Sequence, residues 1–438
     1  MKPDAGIPPA EIPWKRALPW ALYDWANSAF ATSVMAVFVP LFNKQFWCAG
    51  APKTVSTFRL GIAISLGSLA VALLAPVLGA IADKGGARKK FLLFFASLGL
   101  VATIALHFAG RGDWAAALAL YAVALVGFSG ANIFYDSLLI SVAGERKLDV
   151  VSALGYSLGY LGGGLLFALN VWMVLRPEFF GLAGSEDAVR WAFVTAGIWW
   201  ALFSLPLFAF VPEPRRAAVP GSRAEVVRAG LRQLWATFGE IRLKRQAALF
   251  LIGYWLYIDG VDTVIQMAVD YGQSLNINSE DLILAMLITQ FVGFPAALVF
   301  GILGERLGAK TGILIGLAVY TGVCIWGYFM RSPREFYGLA VAIGMIQGGV
   351  QSLSRSLYAR LIPPDKAGEY FGFYNMLGKF AAIIGPALMA VTGLLSGDSR
   401  LPILAVILLF VLGASFLIRV KTGPVQSSPR CAGTPVAG

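Results

Sequence analysis

Apolar stretches about 20 residues long recur from one end of this 438-residue chain to the other, and each is long enough to cross the roughly 30 Å hydrocarbon core of a bilayer as an α-helix. A segment in hydrocarbon must satisfy its own backbone polar groups, which a helix does and an open strand does not. The chain is 58% hydrophobic and only 13% charged, with a mean hydropathy of +0.72, whereas an ordinary soluble domain is about a quarter charged. A water-soluble fold is excluded. The runs predict an all-α polytopic membrane protein with spans near 17–43, 59–82, 91–110, 114–143, 151–175, 189–211, 247–272, 281–303, 311–330, 335–361, 370–395 and 401–420.

The formal charge is +11, but Lys and Arg sit in short clusters between the apolar runs. Their bias to alternate loops is the positive-inside pattern. No nucleic-acid partner is expected; the bilayer is the partner, and both termini are expected in the cytoplasm, at a bacterial inner or plasma membrane. Cys48, Cys324 and Cys431 lie far apart without CxxC or zinc-ligand spacing, so they read as structural thiols, with no metal site.

Residues 1–16 are polar and Pro-rich and lack the features of a secretory signal; they read as a cytoplasmic tail. The spans divide into bundles at 17–211 and 247–420, and the Pro/Ser/Gly-rich tail 421–438 reads as disordered. Between the bundles, 212–246 carries Val227, Leu231, Leu234, Trp235, Phe238 and Ile241 at helical spacing, with Arg228, Arg232, Arg242, Lys244 and Arg245 elsewhere. That pattern predicts a basic amphipathic helix lying on the membrane surface.

The two bundles resemble each other at an offset of about 220 residues. Gly79, Asp83, Gly86 and Arg88 after span 2 superpose without gaps on Gly301, Glu305, Gly308 and Lys310 after span 8, with Lys84 opposite Arg306. Asp136-Ser137-Leu138 in span 4 stands opposite Arg355-Ser356-Leu357 in span 10. Parallel repeats of six spans each, related by an axis along the membrane normal, predict two pseudo-symmetric six-helix halves.

Gly79-x-x-x-Asp83-x-x-Gly86-x-Arg88-Lys89 resembles the loop motif of the major facilitator superfamily, with Ala87 where a base is common. Leu22-Tyr23-Asp24-Trp25-Ala26-Asn27-Ser28-Ala29-Phe30, together with Tyr135-Asp136-Ser137-Leu138-Leu139 and Gln351-Ser352-x-Ser354-Arg355-Ser356, resembles the vacuole effluxer family related to an autophagy protein. The resemblance covers roughly 15–420. It implies a twelve-helix transporter of the major facilitator fold working as a monomer, with amino-acid efflux from a vacuole described for fungal members and bacterial substrates largely unassigned.

In the loop motif, Gly79 and Gly86 permit close helix approach and a tight turn, while Asp83 can face the positive N-terminus of another helix and nearby bases. The expectation is a latch between the halves; the alternative is that the bases are membrane anchors alone. Gly308-Ala309-Lys310-Thr311 approaches a phosphate-binding loop, but Ala309 replaces the required glycine and no soluble strand precedes it. ATP is rejected, no cofactor is expected, and energy must come from gradients.

Ionisable groups at membrane depth cost at least about 2.5–3.5 kcal/mol on insertion scales and mark cavities or partners. Here they are Asp24, Asp136, Asp259, Asp262, Arg355 and Lys379. All but Lys379 fall on spans 1, 4, 7 and 10, which line the central cavity in the fold this sequence resembles. Asp24 shares a helix face with Asn27, Asn132 with Asp136, Asp259 with Asp262 and Gln266, and Gln347 with Gln351 and Arg355. With Tyr257 they define a predicted chamber for substrate or proton. Two readings of Asp136 and Arg355 stay open: an interdomain pair closing a cytoplasmic gate, or Arg355 gripping a substrate carboxylate while Asp24, Asp259 or Asp262 receives an amine or a proton. Like-charge repulsion between Asp259 and Asp262 favours a retained proton on one of them, so proton coupling is an expectation, against a static polar cluster.

These features predict a secondary transporter moving a small polar solute by alternating access, with amino acids and efflux implied by resemblance only. A membrane-embedded enzyme would want HExxH, GxSxG or a metal cluster, and a sensor a soluble domain; neither is found. A drug or lipid exporter would want a broad apolar chamber, whereas both signs of charge lean toward zwitterions.

Overall fold

The computed structural model describes residues 12–144, 147–213, 239–240, 244–274, 277–381 and 400–421, with isolated positions between 385 and 395. Among the described residues every regular element is helical: α1 (Trp14–Trp47), α2 (Lys53–Gly85), α3 (Arg88–Ala105), α4 (Trp114–Ala143), α5 (Leu148–Leu175), α6 (Ser185–Phe210), α7 (Arg245–Ser274), α8 (Ser279–Leu307), α9 (Ala309–Phe329), α10 (Pro333–Leu361), α11 (Ala367–Ala381) and α12 (Leu401–Arg419). Eleven of these are long and apolar enough to cross a membrane over the described residues. The exception, α11, continues in sequence through a segment that lies mostly outside them. Phe58, Leu66 and Leu73 are each 60% exposed or more on α2, a surface suited only to hydrocarbon.

Helix ends follow local chemistry. Ser332 at the start of α10 accepts from the Glu335 backbone N–H at 3.4 Å and donates to the Glu335 carboxylate at 2.8 Å, a reciprocal cap. Gly86 closes α2 with φ +57°, a conformation that side chains avoid. The spans read from sequence match these helices within a few residues. The largest extension is at the start of α2, which begins at Lys53 where the apolar run starts at 59. In α1, Asn43 at the expected end of the span is buried inside a helix that continues to Trp47, and it donates to the Ser56 carbonyl at 2.8 Å. Residues Phe30–Phe38 and Asn43–Trp47 of α1 wind as wider π-helical turns, which often accompany functional sites. The predicted surface helix of 212–246 and the terminal tails lie almost wholly outside the described residues.

Helices α1–α6 and α7–α12 form two halves. The small-residue ridge of α5 packs on α1: a Cβ at Gly159 would stand 2.7 Å from Ser28 Oγ, and one at Gly163 2.8 Å from Thr32 Oγ1. Between the halves, α2 meets α11 and α8 meets α5, at the face that carries both loop motifs.

Candidate functional site

Arg355, 2% exposed, projects from α10 into the first half. Its Nε donates to Ser152 Oγ at 2.9 Å and its Nη2 to the Ser152 carbonyl at 2.9 Å. Nη1 donates to Asp136 Oδ1 at 3.0 Å, and both Nη atoms lie 3.4 Å from Asp24 Oδ2. A guanidinium has five N–H donors and no acceptor, and these contacts engage every one of them. The rings of Trp20, Tyr135 and Tyr156 stand 4.9, 5.4 and 4.5 Å from its Cζ, so the cation is enclosed by π faces. Asp136 also accepts from Asn375 Nδ2 of α11 at 3.1 Å, and Asp24 from the Tyr135 hydroxyl at 2.7 Å. The approach of α5 needs a glycine here: a Cβ at Gly155 would stand 2.5 Å from Asp24 Oδ2. Of the two sequence readings, this conformation shows the pair, joined by Asp24, and leaves Arg355 no donor for a substrate carboxylate.

Nearer the motif face, Asp83 sits where the loop motif puts it. Its carboxylate accepts from the backbone N–H groups of Gly368 at 3.1 Å and Glu369 at 2.9 Å, in the first turn of α11, and from Arg88 Nε at 2.7 Å. Anion and helix N-terminus attract. Gly79 lies so close to the Gly368 carbonyl that a Cβ would overlap it. The second motif also packs closely on α5, there against a side chain: a Cβ at Gly301 would stand 2.5 Å from Ala153 Cβ. Glu305, however, pairs with Lys147 Nζ at 3.0 Å. Asp149, 1% exposed, takes both Nη atoms of Arg360 at 2.7 Å and the Ser356 hydroxyl. Lys89 Nζ donates to the carbonyls of Phe208 and Val211 at the end of α6, and Lys310 Nζ to those of Ile418 and Val420 at the end of α12. Lys310 therefore fills the place of Lys89, not of Arg88. The ungapped superposition slips by one residue after the glycine because α3 begins at Arg88 and α9 at Ala309. Gly308 turns with φ +86°, and Arg306 is exposed.

Of the other predicted chamber residues, Asn27 Nδ2 donates to Asn132 Oδ1 at 2.6 Å, and Tyr257 Oη and Ser354 Oγ lie 2.7 Å apart. Asp259, fully buried, accepts from the Gly385 backbone N–H at 2.9 Å and lies 3.5 Å from the Thr263 hydroxyl. Asp262 and Gln351 are half-buried. The side chains of Gln266 and Lys379 lie outside the described residues. Toward the opposite face, α7, α8, α9, α10 and α12 line an open-sided cavity of about 130 Å³, with Thr263, Thr289, Gln290 and Gln347 set in an otherwise mainly apolar wall. Gln290 also reaches Thr32 of α1 at 3.3 Å. Sequence reasoning missed Ser152, Tyr156, Asn375, Asp149 and Arg360.

The family model described as "Vacuole effluxer Atg22 like" matches residues 14–424. An uncharacterised MFS-type transporter of Bacillus subtilis, YxiO, is 39% identical, over 91% of this chain and 93% of its own. Autophagy-related protein 22 of Eremothecium gossypii is 24% identical over 80% of this chain and 74% of its own. Among solved structures, the human organic anion transporter MFSD10 superposes with a TM-score of 0.69 at 16% identity, covering 93% of this chain and all of that one. The proton:xylose symporter XylE does so with a TM-score of 0.68 at 15% identity, covering 94% and 96%. The fold is that of major facilitators: all-α, with two six-helix halves. This chain belongs to the Atg22-like vacuole effluxer family, whose members and structural neighbours here are transporters, not enzymes.

Proposed function

We propose that this Atg22-like transporter is a secondary active carrier that moves a small polar solute by alternating access, with Asp24, Asp136 and Arg355 forming the gate on the motif face. One observation carries this reading: every donor of a buried arginine on one half is held by the other half, so separating the halves must release the whole set at once. A two-state element of that kind is what alternating access requires. The latch at Asp83 and the Asp149–Arg360 pair support closure at the same face.

The dense Lys and Arg on the motif face support a cytoplasmic placement of both termini in a bacterial membrane. The cavity, with Gln347 from the predicted chamber, supports a substrate with neutral hydrogen-bonding groups on a partly apolar body. Neutral amino acids fit that description, and kinship with vacuole effluxers supports efflux by a monomer. Broad drug or lipid export is the second reading, favoured by the mainly apolar wall.

The test is flux in proteoliposomes loaded with amino acids, peptides or sugars, after thermal-shift screening has ranked them. Wild-type protein should move at least one neutral amino acid, and Arg355→Ala should abolish the movement. Transport by Arg355→Ala at the wild-type rate would remove the gate.

A further inference from the structure

We propose that Asp24 is the proton site of this gate, carrying one proton while the gate is closed and giving it up when Arg355 withdraws. This rests on reading Arg355 as the gate. The titratable groups facing one another are Tyr23 and Asp24 from α1, Tyr135 and Asp136 from α4, Tyr156 from α5 and Arg355 from α10, with Ser152 of α5 and Asn375 of α11 beside them. Asp262 of α7 is a further charge felt at Tyr156.

Phenols are neutral at ordinary pH. Two carboxylates therefore share one guanidinium, leaving an excess negative charge where water is largely excluded. Such a charge is costly in low dielectric unless neutralised, and one proton cancels it. The hydrogen bonds assign the proton. Asp136 takes a nitrogen donor on each oxygen, from Arg355 at 3.0 Å and Asn375 at 3.1 Å, as an ionised carboxylate does. Asp24 receives all its bonds on Oδ2, with the guanidinium at a loose 3.4 Å. Among the described residues nothing donates to its Oδ1, and its side chain keeps 14% exposure against 2% for Arg355. A proton on Asp24 Oδ1 breaks no bond and leaves Arg355 and Asp136 as a neutral pair.

The cycle follows. With the motif face sealed, a proton passes from hydronium on the cavity side to Asp24 Oδ1, and the closed state is then charge-balanced. When α10 carries Arg355 away, both carboxylates meet water, Asp24 ionises, and the proton leaves to water on the motif side. Each cycle moves one proton from the cavity face to the motif face.

The experiment measures the distance between spin labels on Lys90→Cys and Leu307→Cys, both exposed near the motif face, with Cys431→Ser to remove the tail thiol. Because the closed state binds the extra proton, its population should grow as pH falls, by up to about tenfold in closed-to-open ratio per pH unit for one linked proton. Asp24→Asn should hold the closed distance across the range. A pH-independent wild type, or an Asp24→Asn slope equal to wild type, overturns the assignment. Arg355→Gln separates the two claims: if it leaves the closed population intact, the gate reading itself has failed. Should Asp24→Asn not fold, infrared difference spectra of the wild type decide. A protonated carboxyl band must rise and fall with the closed fraction, and its absence overturns the proposal.

Discussion

Arg355 Nη1 and Asp136 Oδ1 lie 3.0 Å apart although the residues are separated by 219 positions, and those positions are equivalent in the two repeats. A cation and an anion at matched depth on α10 and α4 thus close on each other across the pseudo-symmetry axis. Removing one partner of a buried pair costs about 3–5 kcal/mol because the other charge stays behind. Asp136→Arg and Arg355→Asp should each abolish flux. Combined, they should restore part of it, since Arg at 136 would face both the new carboxylate and Asp24. If both singles insert normally and the double variant is still inactive, pairing is not the function of these charges.

Asp83→Asn keeps the shape of the side chain and removes its charge. Bonds from backbone N–H groups to a charged acceptor are worth about 1.5–3 kcal/mol each, and Asp83 accepts two from α11. Partial loss should lower the closed-state population, and with it flux, by about tenfold, with expression little changed. Wild-type flux in the variant would leave the motif as no more than an anchor.

The spans were legible because each is an unbroken apolar run, and α4 falls on 114–143 as read. The repeat, the contact of Asp83 and the placement of Asp24, Asp136, Asp259, Asp262 and Arg355 on helices were legible for a related reason: an ionised residue in such a run is conspicuous. Which charges meet was not. Asp24 joins Arg355 only because α1 and α10 both pack on α5, and no spacing along one helix encodes that. Ser152 and Tyr156 look like ordinary span residues, and Asp149 and Arg360 like loop-end charges. One signal was available for Asp149: it lies as far before Gly368 as Asp136 lies before Arg355, which places it at the position the first latch contacts in the other half.

Gly79 and Gly61 sit on the same helix and should respond oppositely to alanine. A Cβ at Gly79 would overlap the Gly368 carbonyl, whereas at Gly61 nothing lies within 4 Å. Gly79→Ala must push α2 from α11 and weaken the latch, reducing flux severalfold. Gly61→Ala meets no obstacle and gains about 0.5–1 kcal/mol from helix propensity, so its thermal midpoint in detergent should be equal or higher. Equal behaviour of the two would mean that the α2–α11 contact does not form in the transporting protein.

The Asp149–Arg360 pair offers a test in which the double variant should be milder than one of the singles. Asp149 is 1% exposed as a side chain and Arg360 27%, so water can stand in for the arginine but hardly for the carboxylate. Arg360→Ala leaves Asp149 with the Ser356 hydroxyl alone, a buried anion short of donors, which costs more than the pair's net contribution. Asp149→Ala releases Arg360 to solvent and should cost less. Removing both eliminates the stranded charge, so the double variant should be more stable than Arg360→Ala by part of the coupling, within the roughly 0.5–3 kcal/mol typical of contacting residues. Thermal midpoints of the four proteins measure this directly. Strict additivity would show that Asp149 and Arg360 are not coupled in the folded protein, leaving Lys147 and Glu305 as the ion pair between the second motif and the first half.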